Sequence, residues 1–464
     1  MGLKITRGLK AYSEVFNESG VPRPVYRPIF DYLGSTDLRE FRERFRRADQ
    51  INVEEGVTFL LRPGQERILK VDWIPRIIDG AQFDRIRDGL IQRATALNLF
   101  LNDLYAGKQD VVPSDIIRSS IYFYPPCMGY TPPRGIYLHI YGPDLVQARK
   151  DEWVILEDNM RIPSGVSYAL KYREIEKRLF PDFHSSYDIY PVHLYPHFLR
   201  KNLEYVSPET SPSVDPVVVL LTEGSYNAAY YDHKYLAEEM GVSLVVPKDL
   251  FVDADGFVQM RTNRGNMKVD VIYRRVQDID VFVPGLSGSY ISGKVNLANA
   301  WGTGVLDDKG TFPYVPKMIR RYLDQDPLLQ NAPTYSPLDP ADLKYILSSF
   351  PKMVIKCREG YGGHGIWICP EATAAQQEEW KKELLANPIN FIAQDCLDFS
   401  THCLTRFSQD DIILDDTYVD LRTYVLMGEK VQVMPGGISR VAPLGTRVVN
   451  SSSGGLIKDT WVLR

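Results

Sequence analysis

The chain has little cysteine, no long apolar run and little net charge, and each shortage excludes something. Its five cysteines, Cys127, Cys357, Cys369, Cys396 and Cys403, are scattered over 464 residues. None forms a CxxC pair with a second pair at zinc spacing, and a disulfide framework is not expected in so large a chain; a reducing cytoplasm is. No window approaches the about 20 apolar residues needed to cross a bilayer, and the opening MGLKITRGLK has no stretch of signal-peptide length. No membrane partner is expected. A formal net charge of −5 argues against a broad basic surface for nucleic acid. The one arginine-rich segment, Arg39 to Arg47, alternates with Glu40, Glu43, Phe41 and Phe45, the pattern of a solvated amphipathic helix.

What is present is an ordinary globular composition long enough for two or three lobes. Residues 1–120 read as mostly helical, most clearly from Phe83 to Tyr105, where apolar residues recur at helical spacing. Residues 121–206 carry two short strand patterns, Gly135-IYLHIYG and Trp153-VILE, separated by a polar turn. A proline- and serine-rich passage, Ser207-PETSPSVDP, reads as a linker. The rest of 207–335 alternates strand, helix and strand, as a small α/β lobe does. Residues 336–464 alternate strands with a helix from about Ala374 to Leu385, and MGEK lies between two apolar runs as a hairpin turn would.

Three clusters carry chemistry. In the first, the strand Val354-Ile-Lys356 runs into Gly360, Gly362, Gly363 and Gly365, glycines that let backbone N–H groups converge on phosphate oxygens. The lysine precedes the glycines, so this is not a GxxxxGK[ST] loop, and a strand pattern follows, so it does not open a Rossmann helix. In the second, Glu157 and Asn159 stand two apart on a strand and share a face, a hard-oxygen pair suited to Mg²⁺. Asp144 would supply a third oxygen if the preceding segment pairs with that strand. In the third, Asp420 and Arg422 share a strand face and Arg440 follows Pro435-Gly-Gly437; two arginines on one centre offset charge on a transferring phosphoryl group.

Lysine before glycines, DxR, a later arginine, Asn450-x-x-x-Gly-Gly and ExNxRxP together resemble the ATP-grasp superfamily, with ExN placed ahead of the lysine instead of at the end. The chain thus resembles the circularly permuted ATP-grasp proteins, a group similar to glutathionylspermidine synthase, through Glu157-DNMRIPSGVSY, Asn299-AWGTGVLDDK, Ala228-AYYDHKYLAEEMGV, Tyr273-RRVQD and Gly454-GLIKDTW. The resemblance implies an α+β fold: a permuted ATP-grasp domain, a small α/β lobe and a mostly helical N-terminal segment. It implies ATP and Mg²⁺ as cofactors. Lys309 and Lys356 would contact phosphates under a flap of Gly360, Gly362 and Gly363, with Gln394 and Asp395 beside adenine. Asp144, Glu157 and Asn159 would ligate Mg²⁺, and Arg422, Arg440 and Asn450 would surround the reacting phosphoryl group. The implied activity is ligation of a small-molecule or peptide carboxylate to an amine through an acyl phosphate. A phosphotransferase on the same fold and a non-enzymatic nucleotide-binding protein are the alternatives. The acceptor region would include Tyr226, Asn227, Tyr230, His233, Arg274 and Arg275, and the two arginines could equally pin that lobe to its neighbour.

Overall fold

The computed structural model describes residues 2–6, 8–9, 11–62, 65–210, 212–277, 279–360, 365–409, 411–449 and 455–464. Three sheets matter for function. The largest has seven strands in the order Gln330–Asn331, Glu152–Glu157, Asp144–Arg149, Leu421–Arg422, Gly436–Val441, Leu456–Val462 and Arg76–Ile78. It therefore gathers strands from every quarter of the chain.

Against it stands an antiparallel sheet of four strands, in the order Thr334–Tyr335, Phe391–Asp395, Met353–Cys357 and Ile366–Ile368. Its own small core contains Ile346, Phe350, Met353, Ile355 and Leu384. The third sheet is parallel throughout, in the order Asn296–Ala298, Val271–Arg274, Val218–Leu221 and Ser243–Val245. Its strands are almost wholly apolar because helices and neighbouring segments cover both faces, and the helix Tyr230–Met240 crosses from its middle strand to its edge.

The helix Gly80–Tyr105 begins with Asp79, whose side chain accepts from the Ala81 N–H, and buries Ile86, Leu90, Leu97 and Leu101 along one face. The N-terminal segment also holds strands at Gly2–Thr6, Thr58–Arg62, Gln65–Ile68 and Arg76–Ile78. The arginine-rich segment lies in helix Leu38–Glu54, which buries Phe41 and Phe45 while Arg44 pairs with Glu40 and Asp182. The pairing strand of Glu152–Glu157 is Asp144–Arg149, not the apolar run before it, of which only Ile140–Tyr141 is strand. The apolar residues Tyr137 and Leu138 enter the core from irregular backbone instead, tied down by the side chain of Asn98. Val425–Met427 and Val431–Val433 pair around the MGEK turn.

His139 is buried, and among the described residues neither ring nitrogen has a hydrogen-bond partner of good geometry. Burial, opposed by the nearby Tyr137 backbone and reinforced by the charge of Arg274, pushes its pKa down to about 3. In the unfolded chain the ring titrates near its ordinary value, about 6.5. Below that pH the unfolded state takes up a proton that the fold refuses, so stability falls by about 1.4 kcal/mol per pH unit until the folded-state pKa is reached. Between pH 7 and pH 5 the wild type should therefore lose about 2 kcal/mol more stability than His139→Leu, measured by urea unfolding; equal pH slopes would contradict a neutral buried ring.

Candidate functional site

The charged residues of the large sheet meet because of strand register. Asp144 opens its strand directly opposite Glu157 on one side and Arg422 on the other. Arg422 in turn faces Ile438, and Arg440 lies two residues further along, on the same face as Ile438. Gly437 permits this approach, since a Cβ there would overlap the Arg422 carbonyl. The result is a layered ion cluster. Arg422 grips Asp144 with two hydrogen bonds of 2.6 Å. Arg440 reaches Asp144 at 3.0 Å and holds Asp420 with both Nε and Nη2. Burial would raise the Asp144 pKa, but Arg422 and Arg440 outweigh it and bring it down to about 2.

A second cluster bridges the two sheets. Lys309, held nearly buried in the loop before helix Val315–Leu323, places Nζ 2.9 Å from Glu157 and 2.6 Å from the Gly360 carbonyl. Lys309 N–H also bonds the Arg358 carbonyl at 3.2 Å, which fixes this loop against the lysine strand. Gly310 is required there because a Cβ would collide with the Arg358 guanidinium, itself clamped to Asp308 by two bonds of 2.7 Å. Burial disfavours the Glu157 carboxylate, yet Lys309 and Lys356 hold its pKa below the ordinary range. Lys356 is 8% exposed and has no hydrogen-bond partner among the described residues. Burial lowers its pKa to about 8, with Glu157 opposing and Lys309 adding to the shift. It is a cation awaiting an anion.

All of these groups line one cavity of about 610 Å³. Asp144, Glu157, Asn159, Lys309, Lys356, Gly360, Gln394, Asp395, Arg422 and Arg440 are brought together there. Gly362, Gly363 and Asn450 lie outside the described residues. Gln394 donates to Thr334 Oγ1 at 2.9 Å, and Asp395 accepts from the hydroxyls of Tyr335 and Tyr345.

The residues fit a Mg²⁺ ion that completes its shell elsewhere. Asn159 donates Nδ2 to the Gly142 carbonyl at 3.0 Å, which leaves its Oδ1 without a hydrogen-bond partner among the described residues, and both Asn159 and Glu157 line the cavity. Among the described residues no three His, Cys, Asp or Glu side chains form a metal cluster by themselves. Mg²⁺ takes one or two carboxylates and draws the rest from phosphates and water, so the donor set present would suit the ion only together with a phosphate-bearing ligand.

On the parallel lobe the expected acceptor residues divide. Asn227, His233 and Arg275 line the cavity, whereas Tyr226, Tyr230 and Arg274 do not. Arg274 is buried against the carbonyls of Asn299, Val276 and Ala300, so it pins its own lobe. The sequence reading did not single out Asp307 or assign Arg161 a role. Asp307 accepts the Arg161 N–H at 2.9 Å and pairs with its guanidinium, which also lies 4.1 Å over the Tyr122 ring. The signal was present in both ExNxR and the DDK phrase, but only folding shows that they touch.

Comparison with known proteins agrees with this architecture. A protein of Synechocystis sp., described as uncharacterized, is 43% identical over 98% of this chain and 97% of its own length. A Mycobacterium tuberculosis protein, also described as uncharacterized, is 37% identical over 98% of this chain and 84% of its own. A putative glutamate–cysteine ligase of Frankia casuarinae is 34% identical over 98% of this chain, which spans only 54% of that protein. Among solved structures, a glutathione synthetase-like effector from Globodera pallida in its apo form superposes with a TM-score of 0.61 at 10% identity. That match covers 92% of this chain and 98% of the effector, and at such low identity it speaks for the fold alone. The family model for circularly permuted ATP-grasp type 2 proteins matches residues 75–442, nearly all the strands that build the cavity, and the chain belongs to that family.

Proposed function

We propose that this chain is a Mg²⁺-ATP-dependent ligase that activates a carboxylate as an acyl phosphate and transfers the acyl group to an amine. The observation that carries the reading is the convergence of the Glu157–Asn159 pair with Lys309, Lys356, Arg422 and Arg440 in one cavity, although the first pair precedes Lys356 by some two hundred residues. The name of the Frankia relative, a putative ligase, points the same way.

Lys356 and Lys309 hold phosphate oxygens as point charges, and Gln394 and Asp395 lie where the adenine end of the nucleotide would rest. Glu157 and Asn159, with Asp144, would hold Mg²⁺, which would supply Lewis-acid polarisation of phosphate oxygens. Arg422 and Arg440 stand over the transferring phosphoryl group and offset charge spread over its oxygens. The carboxylate oxygen of the substrate attacks the γ-phosphorus, ADP leaves, and the amine then attacks the acyl carbon and expels phosphate. No enzyme side chain forms a covalent bond, so positioning and electrostatics account for the rate. The mechanism needs no thiol nucleophile, and three of the five cysteines are ill suited to be one: Cys127, Cys369 and Cys403 are buried, and burial pushes each thiol up to about 12.

Glu157→Ala should abolish ADP release while leaving the circular dichroism spectrum unchanged; turnover at the wild-type rate would refute the metal role. Lys356→Ala should weaken ATP binding by about tenfold or more, as loss of a charged hydrogen bond of ~1.5 kcal/mol or above implies. Because Lys356 titrates near pH 8 in the free protein and is protonated against phosphate, wild-type affinity should also fall as the pH rises through 8. Calorimetry checks both: a flat pH profile in the wild type, or an unaltered dissociation constant in the variant, would count against the lysine. Hydroxylamine added with Mg²⁺-ATP and candidate acids should trap a hydroxamate; phosphorylated product without hydroxamate would mark a phosphotransferase.

A further inference from the structure

The cavity extends from Lys356 and Arg422 to the C-terminal edge of the parallel sheet, where Asn227, Ala228, Ala229, His233 and Arg275 form its wall. Ligands of parallel sheets collect at this edge. Most polar side chains there are already engaged. Arg275 donates to the Pro163 carbonyl at 2.7 Å, to the Tyr273 hydroxyl at 3.2 Å and to Ser164 Oγ, and lies 3.6 Å from Asp232. Tyr168 donates to the Thr58 carbonyl at 2.8 Å, and Tyr424 to the Ser164 carbonyl at 3.1 Å. Asn227 accepts the Ala229 N–H and donates to Glu223.

His233 differs. Its Nδ1 lies 2.8 Å from Thr222 Oγ1, which itself accepts the Gly224 N–H at 3.2 Å. Thr222 is wholly buried, and among the described residues Nδ1 is the one acceptor in reach of its hydroxyl proton. The hydroxyl therefore donates to Nδ1, and the neutral ring carries its own proton on Nε2. That nitrogen has no partner among the described residues and belongs to a residue on the cavity wall. Burial, helped by the charge of Arg275, pushes the ring's pKa down to about 2, so the Nε2–H stays an uncharged donor at physiological pH. The charge of Arg275 is offset by Asp232 and its two Nη groups are engaged, so a second carboxylate at this spot would lose its water with only the Nε–H of an already neutralised guanidinium, unpartnered among the described residues, in return. A neutral acceptor meets no such penalty.

We propose that His233 Nε2–H donates a hydrogen bond to an uncharged oxygen of the acid substrate, an amide or ketone carbonyl standing beyond the reacting carboxylate, and thereby selects such acids over plain alkanoic acids and dicarboxylates. This rests on the carboxylate activation proposed above.

The test uses the full chain with Mg²⁺-ATP and hydroxylamine, and compares N-acetylglycine, N-acetyl-β-alanine and N-acetyl-4-aminobutyrate with alkanoates and dicarboxylates of matched length. At least one acetylated acid should exceed its matched alkanoate in kcat/KM for hydroxamate by about tenfold or more, the effect of leaving a buried donor unpaired. His233→Leu should bring that ratio toward one through KM, with ATP affinity unchanged, while His233→Gln, which keeps an N–H donor, should retain most of the preference. Equal kcat/KM values for acetylated and plain acids in the wild type would overturn the assignment of His233, whatever the variants do, and leave carboxylate activation standing. The same holds if only alkanoates or dicarboxylates react. Hydroxamate from none of the acids, with ATP bound, would remove both readings.

Discussion

The pairing of Asp144 with Arg422 and Arg440 is the constraint on which the cavity depends. Four cations, Lys309, Lys356, Arg422 and Arg440, line one cavity, and like charges gathered there repel one another. Asp144, Asp420 and Glu157 are threaded among them and make the crowding tolerable. Losing one partner of a buried pair typically costs about 3–5 kcal/mol, because the survivor is left desolvated and alone. Among the described residues Lys356 is the one of the four without a directly bonded partner, and burial lowers its pKa. The cavity thus balances its charges internally, and on the proposed function the nucleotide phosphates and their metal would exchange partners with this network.

The network is made possible by backbone geometry. Asp144 reaches both Glu157 and Arg422 because one strand lies between the other two. Side chains opposite one another in a sheet are held close together whatever their sequence separation. The bridge formed by Lys309 then joins this sheet to the lysine strand through Glu157 on one side and the Gly360 carbonyl on the other.

Much of this was legible in the sequence because the residues carry local signatures. The two-residue spacing of Glu157 and Asn159, or of Asp420 and Arg422, specifies a shared strand face without any knowledge of the fold. Other features depend on tertiary contacts. Residues 136–141 have the apolar content of a strand, yet Asn98 and Asn299 capture their backbone donors and leave only Ile140–Tyr141 in a ladder. Asp144–Arg149 holds polar residues and read as a turn, but it is a central strand, and its Gln147 is buried. Arg274 and Arg275 are adjacent, so they point to opposite sides of their strand. Which side faces the cavity is decided by the neighbouring lobe, not by either residue.

The order of strands in the large sheet also bears on how the protein is made. Arg76–Ile78 pairs with Thr460, Trp461 and Val462, so the early segment leaves the ribosome long before its neighbour exists. Until then Arg76 and the apolar face beside it must be shielded by Glu14 and the N-terminal helices or by a chaperone. Contacts so distant in sequence close slowly. The pairing of Arg76–Ile78 thus cannot form until nearly all of this sequence has been synthesised.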